Sequence, residues 1–546
     1  MNLYLTTSED DPESIEVVFE AIRDRCEKKF QLFSEIFFNH FTQYAWNQFH
    51  HSMFSYYETK TYPAREVDCA PRGYAKSTIK TLFKPVHDIC YGTQKYILFI
   101  SATAKQSGEK LKDIRAEVME NELLRAVYGI HFKSKRVNAE SFEVHTDRGT
   151  TFLRSVSAGT EVRGLRYREH RPSKIILDDA EASEEVLSED RREKTWDWFS
   201  KDISKLGSGD TDIEIVGTVL HRDSLLMKLK RNPAYSTRIW KSVIKWPNNM
   251  KLWKQWEKIY INLDDNDRLI KSNQFYEENK EELNEGVEVL WPEKEDILFL
   301  MKEKLEIGDR AFASEKQNTP MPDGDALFDN IWWYKDAERD GVEGVEIERT
   351  GRFIPYTDME SYAAMDPATG ESSTKSKTKL DYTSLVCGRL DLKGRLFVDK
   401  DWTKRAKPTE YIRQIFEHHL EMQFEKFAIE ENLYRGLLTE NVIRERKRLE
   451  RERRKDGLKN WGLRIPFYEI LNRENKIKRI YTLEPKVNNG WILFNRSLSP
   501  EFMDMIEHFP SKEMHDDGPD ALEMLWGLVN GRYKVNPIDL DAMGSK

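Results

Sequence analysis

One stretch limits what this chain can fold into more than any other: Ala70-Pro71-Arg72-Gly73-Tyr74-Ala75-Lys76-Ser77-Thr78. It follows a short strand, Arg65–Cys69, and leads into a segment with apolar residues at helical spacing, Ile79, Leu82, Phe83 and Val86. A turn between a strand and a helix N-terminus presents backbone N–H groups and the positive end of the helix dipole, which together suit phosphate. In such loops a lysine reaches the outer phosphates and a Ser or Thr hydroxyl reaches Mg²⁺. Against the pattern G-x-x-x-x-G-K-[ST], Ala70 and Ala75 replace both glycines, and Gly73 lies between them. Read alone, the stretch is equally a strand-to-helix turn that carries a lysine, so the rest of the chain has to decide.

The surroundings favour an open α/β sheet. Arg65–Cys69, Tyr96–Ser101, Lys174–Leu177 and Ile213–Val219 read as buried strands separated by helical stretches, and Phe142–His145 with Thr150–Ser155 reads as a hairpin. Strands alternating with helices imply a mainly parallel sheet flanked by helices, which binds ligands beyond the carboxyl ends of its strands. Residues 1–60 read as a helical N-terminal layer, with Gln48, Tyr56 and Tyr57 as candidate nucleotide-base contacts. At 546 residues the chain exceeds a single core. The proline- and glycine-punctuated stretch Phe312–Gly324 marks a boundary, giving a first domain over 61–310 and a linker over 311–350. A second α/β domain is expected over 351–535, with a tail at 536–546.

Composition removes several classes. Apolar residues make up 39% and aromatic ones 12%, as in globular domains. No apolar run is long enough to span a membrane, and the acidic, polar start does not read as a secretory signal. Four scattered cysteines, Cys26, Cys69, Cys90 and Cys387, fit neither a zinc site nor a disulfide framework. A net charge of −9 makes a general nucleic-acid sponge an unsuitable reading, although 86 basic residues leave room for basic patches.

Two constellations carry chemistry. In the first, the strand Lys174–Leu177 ends in Asp178-Asp179-Ala180-Glu181. One carboxylate beside a phosphate loop can hold the Mg²⁺ shell, and another can orient or deprotonate the attacking water. Asp178 takes the metal position, and Asp179 and Glu181 both remain candidates for the base. Gly217-Thr218 ends the next strand, where a hydroxyl can sense the γ-phosphate. Arg72, Arg163 and Arg166 are candidate charge stabilisers. The second constellation lies in the C-terminal half. Asp366 ends one strand, Glu430 another, and Asp516, Asp517 and Asp520 open a helix. Carboxylates from separate elements converging on cations about 3.5–4 Å apart suit two-metal phosphodiester cleavage. Asp517 and Asp520, three apart, can share a helix face. The segment Ile443–Asp456 is a basic helix, either a solvated ion-paired face or a phosphate contact, and Glu469–Ile480 reads as helical.

In this order, the segments APRGYAKST, GTEVRGLRYREHRPSKIILDDAE, VGT, FASEKQNTPMPDG, YAAMDP, AIEEN, NKIKRIYTLEP, GWILF and HDDGPDAL resemble the large terminase subunit of tailed double-stranded DNA bacteriophages, to which herpesvirus packaging ATPases are distantly related. The resemblance spans about residues 45 to 530. It implies an N-terminal P-loop (Walker A) ATPase domain, a mainly parallel sheet flanked by helices, followed by a C-terminal ribonuclease H-like α/β nuclease domain. It implies a motor that uses ATP to translocate double-stranded DNA into a prohead and a Mg²⁺- or Mn²⁺-dependent endonuclease that cuts concatemeric DNA at the start and end of packaging. The implied partners are double-stranded DNA, the portal protein and a small terminase subunit. The implied assembly is a homo-oligomeric ring, a pentamer, on the portal and a monomer in isolation. The implied place is the host cytoplasm during virion assembly, outside the mature virion.

Carried over by position, Arg72, Gly73, Ala75, Lys76, Ser77, Thr78, Asp178 and Thr218 hold the nucleotide, with Ser77 and Asp178 on its metal. Arg72, Lys76, Asp179 and Glu181 serve hydrolysis. Asp366, Glu430 and Asp517 are the nuclease ligands, Asp520 is auxiliary, and Lys476 and Arg479 contact the DNA backbone. The sequence departs from the family's habit at Ala70 and Ala75 and in its DD-x-E run, which leaves the base open between Asp179 and Glu181. Two other readings compete: a helicase-nuclease of DNA repair, and a non-catalytic, nucleotide-gated assembly protein whose acidic clusters are only helix caps.

Overall fold

The computed structural model describes residues 12–59, 63–132, 139–322, 325–367, 382–457, 462–470, 474–511, 515–533 and 535–538. The chain forms two compact units. The first is Met1–Asn249, Glu281–Lys302 and Arg310–Met321; the second is Met250–Lys280, Glu303–Asp309 and Pro322–Lys546. Among the described residues no helix is long and apolar enough to cross a membrane.

The first unit is built on strands β1 (Arg65–Cys69), β2 (Tyr96–Ser101), β3 (Ser141–Thr146), β4 (Gly149–Ser157), β5 (Lys174–Asp178), β6 (Asp212–Gly217) and β7 (Ser236–Ile239). They lie side by side in the order β3-β4-β2-β5-β6-β1-β7. Every pairing is parallel except the β3–β4 hairpin. One strand, β6, therefore stands between β1, which feeds the loop at 70–78, and β5, which ends in Asp178. A short pair, β8 (Val243–Lys245) and β9 (Glu288–Val289), stands apart.

Alternation along the strands splits the central sheet into two unlike faces. Val67, Cys69, Ile213, Ile215, Ile175 and Leu177 join one apolar cluster. Glu66, Asp68, Lys174, Asp212 and Glu214 are buried on the other. There a π-helix, Thr78–Phe83, continues as the α-helix Lys84–Tyr91. Lys80 Nζ lies 2.5 Å from Glu66 Oε2 and also pairs with Asp68, which Arg238 grips at 2.8 Å. Lys174 bridges Asp88 at 3.0 Å and Glu214 at 2.9 Å, and the Tyr57 hydroxyl donates to Glu214 at 2.5 Å. The helix that follows the loop is thus seated on paired charges as well as on apolar contacts.

The second unit carries β10 (Trp332–Arg339), β11 (Val342–Ile347), β12 (Phe353–Pro355), β13 (Met359–Asp366), β14 (Thr383–Asp391), β15 (Leu396–Lys404), β16 (Lys426–Glu430), β17 (Phe467–Ile470), β18 (Ile492–Asn495) and β19 (Val535–Pro537). Their order is β12-β11-β10-β18-β15-β14-β13-β16-β17-β19. The middle five, β15-β14-β13-β16-β17, comprise an antiparallel meander whose first strand continues into two parallel neighbours. That is the ribonuclease H-like core. The helix Asp517–Val529, buried from Gly518 to Leu528, packs on β13 and β14.

Several sequence expectations change. The segment 311–350 is not a linker throughout, because β10 and β11 belong to the second sheet. The stretch 250–280, expected with the first domain, packs within the second unit, where Trp253 and Trp256 are fully buried. Glu469–Ile480 is not one helix: β17 ends at Ile470 and a helix begins at Lys476. The presumed tail starts as a strand, β19, paired with β17; residues 539–546 lie outside the described residues, as do 1–11 of the N-terminal layer. The basic helix spans Glu431–Lys455, with Arg448 held by Glu445 at 2.6 Å and Glu452 at 2.5 Å, an ion-paired face.

Candidate functional site

The loop between β1 and the π-helix has the backbone of a phosphate nest. Gly73 has φ +81° and Ala75, a non-glycine residue, φ +56°. An alanine in the left-handed region costs about 1–2 kcal/mol, so the chain adopts here the conformation the missing glycine would favour. Lys76 Nζ donates to Thr218 Oγ1 at 3.1 Å, and Ser77 Oγ donates to Asp178 Oδ1 at 2.8 Å. The loop thus touches the ends of both β6 and β5. Ser77 and Asp178 present hard oxygens side by side, a donor set that suits Mg²⁺.

Asp179 also has a left-handed backbone, φ +46°. Its neighbours in charge are Lys76, Asp178, Arg72 and Lys110, and burial raises its pKa above the usual carboxylate value. A Cβ on Gly217 would stand 2.9 Å from Leu226 Cδ1, so glycine leaves room there for that leucine, while Asp179 Oδ1 would be at ordinary contact distance, 3.4 Å. Glu181 faces elsewhere. Its Oε2 accepts from the Leu225 N–H at 2.8 Å, at the start of the helix Leu225–Lys230, and burial lifts its pKa to about 7. Of the two candidate bases, Asp179 faces the loop.

Two residues at this site carried no sequence signal. Lys110, on the helix Ala104–Glu120, ion-pairs with Asp178 Oδ2 at 3.0 Å. Burial would lower its pKa, but Asp178 more than compensates and holds it raised. Nothing in a charged helix distinguishes this lysine from its neighbours. Glu315 ion-pairs with Arg72 Nε at 3.2 Å and accepts the Arg72 N–H on its backbone carbonyl at 3.1 Å. Next to it, the Asn318 side chain accepts from the Val219 N–H and donates to the Trp240 carbonyl, each at 2.8 Å. Arg163 and Arg166 are exposed, Arg163 pairing with Asp202 at 2.5 Å.

A cavity of ≈ 270 Å³ adjoins Gly73–Thr78 and is lined by Phe41, Gln43, Tyr44, Trp46 and Trp291 among others. The expected base contacts are not among its lining residues. Tyr57 is buried against Glu214, and Tyr56 sits by Arg238.

In the second unit, Asp366 and Glu430 end adjacent parallel strands, and Asp516 and Asp520 open the helix Asp517–Val529. Asp366, Asp516 and Asp520 converge on one ammonium. Lys476 Nζ lies 2.9 Å from Asp366 Oδ2, 3.1 Å from Asp516 Oδ1 and 3.3 Å from Asp520 Oδ2. Arg479, one helical turn on, meets Asp520 Oδ1 at 2.8 Å, approaches Glu430 at 3.8 Å and pairs with Glu523. Burial raises the pKa of Asp366, and that of Asp520 to about 7.

Asp516 and Asp520, four apart, present the carboxylates that meet Lys476. Asp517, expected as a ligand, ion-pairs with His515 at 3.8 Å and, with its neighbours, adds to the negative charge around Lys476. The i, i+4 spacing of Asp516 and Asp520 was the available signal. Lys476 and Arg479, expected on the DNA backbone, point into the acidic cluster. The donor set, all carboxylate oxygens, fits Mg²⁺ or Mn²⁺. In this conformation the carboxylates stand at ammonium spacing: among the described residues no three His, Cys, Asp or Glu side chains are placed to hold a metal ion.

No protein-family model and no curated protein matches the sequence. Solved structures do. The large terminase from a thermophilic bacteriophage aligns over 89% of this chain and all of its own, at 9% identity and TM-score 0.46. The chain resembles phage large terminases along most of its length. The HK97 bacteriophage large terminase aligns over 92% of this chain and 99% of its own, at 12% identity and TM-score 0.32. The human cytomegalovirus terminase nuclease domain aligns over 33% of this chain and 90% of its own, at 12% identity and TM-score 0.23.

Proposed function

We propose that this chain is an ATP-driven motor that translocates double-stranded DNA and cuts it at a separate, metal-dependent centre, as a terminase large subunit does. The observation that carries the reading is that one chain builds both parts. A phosphate-loop serine is hydrogen-bonded to a strand-end carboxylate in one unit, and carboxylates cluster at the strand ends of a ribonuclease H-like core in the other.

In this reading the triphosphate enters the loop and takes the Lys76 ammonium from Thr218, freeing the Thr218 hydroxyl at the end of β6. Arg72 leaves Glu315 for the γ-phosphate. Asp179 receives the proton of the attacking water, while the base and ribose occupy the cavity beside Gln43 and Tyr44. Ser77 and Asp178 would hold a magnesium ion, which would supply neutralisation of phosphate charge. In the second unit, Asp366, Glu430, Asp516 and Asp520 would hold the cations, which would supply Lewis-acid and nucleophile activation for phosphodiester cleavage. The partners in this reading are double-stranded DNA, a portal protein and a small terminase subunit, with the chain acting as a ring in the host cytoplasm during virion assembly.

The test is a pair of single substitutions on the full chain. Lys76→Ala is expected to abolish ATP hydrolysis and leave metal-dependent nicking of plasmid DNA. Asp366→Asn is expected to abolish nicking and leave hydrolysis. A wild-type chain that does neither with Mg²⁺ or Mn²⁺ sinks the proposal.

A further inference from the structure

The carboxylate cluster of the second unit already contains a cation of the protein's own. Three elements deliver its acids: Asp366 from β13, and Asp516 with Asp520 from the start of the 517–529 helix, close to Glu430 at the end of β16. A fourth delivers the base. Asn475 caps the short helix Lys476–Tyr481, its side chain accepting from the Ile477 N–H at 3.0 Å and the Lys478 N–H at 3.3 Å. That cap fixes the residue next to it, Lys476, whose ammonium lies 2.9, 3.1 and 3.3 Å from three carboxylate groups.

The two basic residues of this helix are not equivalent. The Arg479 side chain is 4% exposed and is committed to Asp520, Glu523 and the Tyr533 hydroxyl. The Lys476 side chain is 32% exposed and hangs on four flexible methylenes. Arg479 is therefore fixed in the wall of the site, and Lys476 is the cation that can leave. Carboxylates bind Mg²⁺ at about 2.0–2.1 Å, and those gathered around an ammonium at about 3 Å cannot also close on a metal at the same point. A divalent ion placed among them would also meet an uncompensated like charge.

We propose that Lys476 is a built-in counter-ion which holds the carboxylates together before metal arrives and competes with the divalent cation for them, so that this lysine sets the metal requirement of the centre. The proposal rests on the nuclease reading above. It differs from a DNA-backbone role, which would leave metal affinity unchanged when the lysine is removed. It differs also from a purely structural role, in which removal would loosen the site and weaken metal binding.

The test is Mn²⁺ titration of the full-length chain by calorimetry, with folding checked by circular dichroism. Lys476→Met is expected to bind Mn²⁺ at least tenfold more tightly than wild type. Lys476→Arg, which keeps the charge, should bind as weakly as wild type. The Met variant should melt lower than wild type without metal and regain the difference at saturating Mn²⁺. Lys476→Gln, which retains a hydrogen-bond donor, serves if the Met variant does not fold. Equal or weaker Mn²⁺ binding in a folded Met or Gln variant overturns the proposal. Asp366→Asn tests the underlying reading separately. If Asp366→Asn binds as many Mn²⁺ ions as wild type, at the same affinities, none is held by this cluster and the nuclease assignment falls. If Asp366→Asn loses it while Lys476→Met is unchanged, only the counter-ion role falls. No binding by wild type, Lys476→Met or Lys476→Gln overturns both.

Discussion

At the scale of single residues, the two carboxylates after β5 separate by environment. Asp179 shares its surroundings with Lys76 and Arg72; Glu181 is tied to the Leu225 N–H. Removing a general base costs roughly 10²–10⁴ in rate, so Asp179→Asn should lose at least a hundredfold in ATP turnover while Glu181→Gln keeps most of it. The opposite ranking in a steady-state assay would exchange their roles. Glu181 also makes a prediction about stability. Its folded pKa is raised from 4.5 to about 7, so between those values the folded state keeps a proton that the unfolded state has lost. Stability must then fall as pH rises through that window, by up to about 3 kcal/mol once the group is fully ionised. Glu181→Gln removes the penalty, and the melting temperature of the variant relative to wild type should climb between pH 5 and pH 8. A flat difference would mean that Glu181 is better solvated than its burial implies. The sequence left the choice between these two acids open because both follow the same strand, and only the backbone turn at Asp179 sends them different ways.

At the scale of elements, the π-helix and helix behind the loop rest on a charged sheet face. Lys80 is fully buried between Glu66 and Asp68. Removing one partner from a buried charge cluster costs about 3–5 kcal/mol, so Lys80→Met should lower the free energy of unfolding measured in denaturant by an amount of that order. A loss under about 1 kcal/mol would show that Arg238 alone can neutralise both acids. The strands were legible because their apolar runs are short and bounded by turn residues, and the β3–β4 hairpin because Asp147-Arg148-Gly149 is a turn signal. The charged face was not. Glu66, Asp68 and Glu214 alternate with apolar residues just as the outer face of a solvated strand does, and only the opposing Lys80, Lys174 and Arg238 explain their burial. The acids at 366 and 430 were legible from their position at strand ends. The pairing of Asp516 with Lys476 was not, because it depends on where the helix begins, and an offset of one residue turns a side chain by about 100°.

At the scale of the whole molecule, the stretch 250–280 packs with the second sheet and not with the residues around it in sequence. Asp264 is the anchor: it pairs with Arg395 at 2.6 Å and with Arg352 at 3.2 Å, and Arg395 is 4% exposed. Asp391 still neutralises part of that buried guanidinium. Asp264→Ala should therefore cost the second unit about 3 kcal/mol, several degrees of melting temperature. Calorimetry should show one transition moving and the other staying; two equal shifts would mean that the units do not melt separately. The sequence could not reveal this packing, since a polar helical stretch with buried tryptophans reads alike in either company. Its consequence concerns the gene. The coding sequence passes from one unit to the other after Asn249, Lys280, Lys302, Asp309 and Met321. A split at any one codon cannot yield two messages that each encode a complete unit, so exchange of either unit between related genomes by a single crossover would break one of them.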